Sequence, residues 1–91
     1  MYNILKYSFN RALLYGVKIQ PSKKKNKKID VLYNGDVIAS VGDIKYYDYP
    51  HYIKSHGLEY ANLRRDAYHK RHYKDISNIG SPGWWASVLL W

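Results

Sequence analysis

The sequence predicts a small α+β domain, a three-stranded antiparallel β-meander with two C-terminal helices packed on it. Three observations carry this reading. Two half-buried strand patterns, Ile29–Tyr33 and Asp36–Val41, flank Asn34-Gly35, the favoured pair for a two-residue type I′ hairpin turn. Leu58, Ala61, Arg65, Tyr68 and His72 recur at the 3-4-3-4 spacing of one helix face. The closing block Ser81 to Trp91 is densely apolar and opens with a serine suited to an N-cap, followed by a first-turn proline.

The elements follow in order. Met1–Ala12 fits two readings. Ile4, Leu5, Phe9, Ala12 and Leu13 share a helical face, while Tyr7 and Tyr15 also suit a strand. The choice between a short helix and an extra strand stays open. A strand is expected over Leu13–Gln20, ended by Pro21-Ser22, with the return loop Lys23–Lys28 leading into the hairpin. After Gly42-Asp43 the aromatic segment Tyr46–Tyr52 reads as a connection broken by Pro50. A helix is then expected over about Leu58–Tyr73, supported by Asp66 four residues before Lys70. The last helix covers about Pro82–Leu90. Tyr49, Tyr68, Trp84, Trp85, Leu89 and Trp91 are expected to form an aromatic core with Val31, Val37 and Ala39. The chain reads as one domain over 1–91, with the meander and its basic loop in 1–43 and a helical half in 44–91.

Composition narrows the function classes. The 91 residues include 15 Lys and Arg against 7 Asp and Glu, for a formal charge of +8. There is no cysteine, which excludes disulfides and thiolate metal sites and fits an intracellular origin. Lys6, Asn10 and Arg11 interrupt the N-terminal apolar residues, so no secretory signal is expected. No apolar run approaches the roughly 20 residues that span a bilayer. Tyrosine occurs 11 times and phenylalanine once, a bias typical of surfaces where a ring packs and its hydroxyl meets a polar partner.

Two basic clusters are the candidate binding residues. Lys23, Lys24, Lys25, Lys27 and Lys28 place five lysines in six residues on a hairpin loop, suited to phosphate or to an acidic protein surface. A solvated loop that discourages edge pairing of the sheet is the alternative. Arg64, Arg71 and Lys74 lie on the outer side of the longer helix, while Arg65 and His72 share a stripe with Leu58 and Tyr68. Basic residues interleaved with tyrosines match what a single-stranded nucleic-acid platform needs, yet no established RNA or DNA module is present. His69 and His72 stand three apart, but nothing specifies further ligands, so no metal and no cofactor is expected. The seven carboxylates form no acid–base pattern, so no catalytic residue is assigned and an enzyme is not expected. The Trp-rich end reads as a helix closing the core and not as a membrane anchor.

The C-terminal half also carries a resemblance. Gly42, then Tyr47-Asp48-Tyr49 with His51, a basic helix with Arg64-Arg65, Tyr68 and Arg71-His72, and the closing Ser-Pro-Gly-Trp-Trp-Ala-Ser-Val-Leu-Leu-Trp form an ordered series. The series resembles a small family of uncharacterised proteins of large nucleocytoplasmic DNA viruses and bacteriophages. The likeness covers Val37 to Trp91. Val41 stands where that family often has phenylalanine, and Ser55–Asn62 departs from its pattern. The resemblance implies a viral source and a compact α+β fold. On this basis the leading expectation is a non-enzymatic minor or auxiliary capsid component. It would sit in the virion, bridge larger subunits through tyrosine and apolar surface, and belong to a larger assembly. The alternative is a nucleic-acid-binding accessory protein in the infected host cell, using the basic loop and helix.

Overall fold

The computed structural model describes residues Met1 to Trp91, and the fold class is the one the sequence predicts. The elements are α1 (Lys6–Leu14), β1 (Lys18–Pro21), β2 (Lys27–Tyr33), β3 (Asp36–Asp43), α2 (Tyr49–His56), α3 (Leu58–Arg71), α4 (Tyr73–Ser77) and α5 (Pro82–Leu90). The sheet is antiparallel in the order β1-β2-β3. Asn34 and Gly35 have φ of 50° and 84°, the pair of positive values that a type I′ turn requires.

The open choice at the N-terminus resolves as a helix. Leu13 and Leu14, expected to begin a strand, instead complete α1, and the strand starts only at Lys18. The chain leaves the helix at Gly16, whose φ of 68° a residue with a side chain adopts at a cost. Ser8 and Arg11 of α1 donate to the carbonyls of Leu89 (2.7 Å) and Val88 (2.9 Å). These are last-turn carbonyls of α5, which have no partner within their own helix. The two ends of the chain are therefore tied together by groups that would otherwise be unsatisfied.

The core lies on one face of the sheet. Ile19, Ile29, Val31, Ala39 and Val41 meet Ala12 of α1 and Trp85, Val88, Leu89 and Leu90 of α5. Val37 does not join them. Val31 pairs with Ala39 but Leu32 pairs with Val37, so Ile38 is an extra residue in β3. This bulge shifts the phase of alternation, and Val37 is 52% exposed. Of the expected aromatic core, Tyr49 and Trp85 are buried, Trp84 and Trp91 are partly buried against the core, and Tyr68 is partly buried on α3.

Two further differences matter for the site. Tyr46–Tyr52 is not a plain connection. Asp48 caps α2 by accepting from the backbone N–H of His51, and Pro50 occupies the first turn, where its missing N–H costs nothing. The predicted Leu58–Tyr73 helix stops at Arg71, and the short α4 follows. Of the later helices α5 packs on β3 and α1, whereas α3 packs on α2 and forms an outer layer. Ser81 caps α5 as predicted, accepting from the Trp84 N–H at 3.1 Å. No helix is long and apolar enough to cross a membrane.

Candidate anion-binding cleft

The fold brings members of the two basic clusters of the sequence to one concavity. A cleft of about 670 Å³ lies between the ends of β2 and β3, the 44–48 loop, α2, α3 and α5. Lys27 lines it from β2. Arg64, Tyr68 and Arg71 line it from α3, at the i, i+4, i+7 spacing that puts three side chains on one helix face. Tyr46, Tyr47, Tyr52, His72 and Trp91 complete its aromatic walls. Arg64 stands 5.4 Å from the centre of the Tyr52 ring. Tyr68 is sandwiched, with Trp91 at 4.4 Å and 7° on one side and His72 at 4.4 Å and 28° on another. Burial and the nearby Asp75 carboxylate raise the Tyr68 pKa against the lowering effect of Arg71, so the ring is a neutral phenol.

The charges in the cleft are of both signs. Lys27, Arg64 and Arg71 make no ion pair, since the salt bridges of the chain are Lys28–Asp48, His51–Asp48 and His72–Asp75. Asp43 and Asp75 are the acidic members of the lining. A surface of free guanidinium and ammonium groups beside aromatic rings suits phosphate and base together. The carboxylates suit the amino groups of bases.

Lys28 is a correction to the sequence reading. It is not a loop lysine offered to a partner but a member of β2, buried with Asp48 in an ion pair of 2.9 Å. Their side chains are 5% and 1% exposed. The Lys28 ammonium also donates to the Tyr46 carbonyl at 2.5 Å. Asp48 further accepts from the Tyr2 hydroxyl at 2.5 Å, and His51 Nδ1 lies 2.8 Å from its other oxygen. Burial alone would raise the Asp48 pKa. The Lys28 charge and the hydrogen bonds from Tyr2, Lys28 and His51 outweigh burial and hold it below the usual carboxylate value. Burial, the Asp48 charge and the hydrogen bond to Asp48 push the Tyr2 phenol far above its ordinary pKa. With its oxygens so occupied, Asp48 holds the 44–48 loop and the start of α2 against the sheet.

The lysine loop is held in a similar way. Buried Asp30 accepts from the Ser22 hydroxyl (2.5 Å), the Ser40 hydroxyl (2.7 Å) and the Lys23 backbone N–H (3.2 Å). Burial opposes its ionisation, yet hydrogen bonds led by those from Ser22 and Ser40 lower its pKa. The loop backbone is thereby anchored while Lys23, Lys24 and Lys25 stay exposed. These three lie on the loop that leads to cleft-lining Lys27, and the Asn26 carbonyl accepts from Ile44 N–H beside the cleft. Lys74, on α4, is exposed and lies outside the cleft.

The sequence pattern marks Lys27, Arg64 and Arg71 as binding residues but does not bring them together, and it gives no role as walls to Tyr46, Tyr47 and Tyr52. The aromatic density around Pro50 is the one signal of those walls. Tyr49 stays out of the cleft, buried beneath Arg65, whose guanidinium lies 4.9 Å from the Tyr49 ring centre. Trp84 and Trp85 pack edge-on to each other and to Tyr15. No group of three or more His, Asp or Glu side chains is placed to hold a metal ion. Comparisons with protein-family models, with curated proteins and with solved structures find no match to this chain.

Proposed function

We propose that this chain is a non-enzymatic nucleic-acid-binding protein, an accessory protein of the viral source that the resemblance of its C-terminal half implies. The observation that carries the reading is the convergence of Lys27, Arg64 and Arg71 on a cleft walled by tyrosines and Trp91. Lys23, Lys24 and Lys25 extend the positive surface along the adjoining loop. Phosphate neutralisation by these groups releases counterions, so affinity falls linearly with salt on logarithmic axes. The test is the salt dependence of binding to a labelled oligonucleotide. Replacing Lys27, Arg64 and Arg71 with glutamine lowers affinity, and the salt slope falls by about 0.7–0.9 for each phosphate that is no longer neutralised. Binding that survives molar salt and ignores these three substitutions would overturn the proposal.

A second reading is favoured by one surface. Leu13 and Leu14 on α1 are 78% and 73% exposed, with Phe9 partly exposed on the same helix. Apolar exposure of this kind suits contact with another protein. It supports a minor virion component that docks on larger subunits, with the basic cleft directed at packaged nucleic acid. Copy counting of this chain in purified particles separates the two. A fixed ratio to the major capsid protein is expected for the virion component, and absence from particles for an accessory protein of the infected cell.

A further inference from the structure

The cleft presents one aromatic ring that its own chain leaves uncovered. Tyr46 lines the cleft and is 70% exposed. Its backbone is nevertheless fixed. The Tyr46 carbonyl accepts from buried Lys28, and its N–H donates to the Asp43 carbonyl at 3.2 Å. The Lys28–Asp48 pair that pins it is itself tied to β2, to the N-cap of α2 and to Tyr2. A rigidly based but exposed ring costs little ordering when a flat partner packs on it, which is the arrangement of a stacking platform. Tyr47, beside it, is used differently, its ring packed on Tyr52 at 5.2 Å.

We infer that the cleft takes an unstacked base of a single strand on Tyr46, with the flanking phosphates on Lys27, Arg64 and Arg71. The inference rests on the nucleic-acid reading above and names the form of ligand. A duplex keeps its bases stacked and paired, so it offers this protein phosphates and groove edges but no free base face. Its phosphates can reach Lys23, Lys24 and Lys25, but its internal base faces are already covered by stacking on one another and cannot pack on Tyr46. A single strand offers phosphates and a free base face at once. The specificity for strand form then comes from Tyr46, and the salt dependence from the cations.

The test uses the full chain and labelled oligonucleotides of about 12 nucleotides, within the range of known single-strand site sizes. Affinity is measured by fluorescence anisotropy for single-stranded DNA, single-stranded RNA and a duplex of equal length. Tyr46→Ala is expected to raise the single-strand Kd about 5- to 150-fold, the range that loss of one stacked base corresponds to, and to leave the duplex Kd unchanged. Tyr46→Phe keeps the ring and is expected to keep the affinity. Tyr46 is exposed, so neither variant threatens the fold. Equal binding of single strand and duplex, with Tyr46→Ala neutral, would overturn the inference and leave the nucleic-acid reading standing. Absence of binding to all three ligands at low salt would overturn both.

Discussion

Replacing Lys28 with methionine removes the ammonium that pairs with buried Asp48 and keeps most of the side-chain volume. The two side chains are 5% and 1% exposed, so solvent does not screen the loss. Breaking a buried pair by removing one partner costs about 3–5 kcal/mol, because the other charge is left uncompensated. Asp48 would still accept from Tyr2 and from the His51 backbone N–H, which places Lys28→Met near 3 kcal/mol, the low end of that range. Asp48→Ala strands more groups. The Lys28 ammonium keeps the Tyr46 carbonyl, but Tyr2 loses its carboxylate acceptor and α2 loses its cap, itself about 1 kcal/mol. Its loss belongs near 5 kcal/mol. A chain of this size has a total stability of roughly 5–10 kcal/mol, so both variants are expected to be conspicuous. Urea titration at pH 7 with matched m-values measures them, and the Tm of Lys28→Met is expected to fall by roughly 12–24 °C. The double variant Lys28→Met/Asp48→Asn keeps an N-cap and removes both charges. It should lose about 2 kcal/mol less than the sum of Lys28→Met and Asp48→Asn measured singly. A Lys28→Met protein within about 1 kcal/mol of the parent would refute the account of this pair.

The other predictions concern the same framework. Asp48 and Asp30 both hold folded pKa values below the usual one, so their contribution is complete above the unfolded value near 3.9 and is lost as pH falls through the folded values. The two carboxylates should therefore make the urea midpoint drop below about pH 4. A midpoint unchanged at pH 3 would contradict this. Gly42→Ala is expected to cost about 2–4 kcal/mol in urea titration, since φ is 81° and a Cβ would lie 2.7 Å from Leu90 Cδ1. Gly35→Ala, with open space around it, should cost only about 1–2 kcal/mol. Ser8→Ala leaves the buried Leu89 carbonyl without its donor and should cost about 1–3 kcal/mol, with faster hydrogen exchange across α1 and α5.

The parts of the fold legible in the sequence are those with a local cause. Asn34-Gly35 dictates a hairpin through its backbone preferences, and Ser81-Pro82 dictates the start of α5 through its cap. Leu13 and Leu14 mislead because an apolar pair fits a strand or a helix equally, and Gly16 decides between them two residues later. Val37 misleads because a bulge at Ile38 leaves no mark in the alternation of a short strand. Pro50 resembles a breaker because a proline ends one helix and opens another with the same chemistry, and only the cap at Asp48 tells the two apart. Lys28 is illegible for a different reason. Within a run of five lysines nothing local distinguishes the one that falls on the covered side of β2, and its partner is 20 residues away. The cleft itself depends on the sheet, α3 and α5 meeting in space, so its two basic clusters read as separate features. Gly42 acquires a physical reason in the close approach of Leu90 and Lys28.

In the proposed cleft Lys27 and α3 act as one site. Chemical-shift mapping of the ¹⁵N-labelled chain during addition of a single-stranded oligonucleotide is the test. The amides of Lys27, Tyr46, Arg64 and Arg71 are expected to move together, with one dissociation constant, and the Trp91 indole N–H to follow them. Shifts confined to Lys23, Lys24 and Lys25 would mean that an exposed loop binds on its own, and would contradict the cleft.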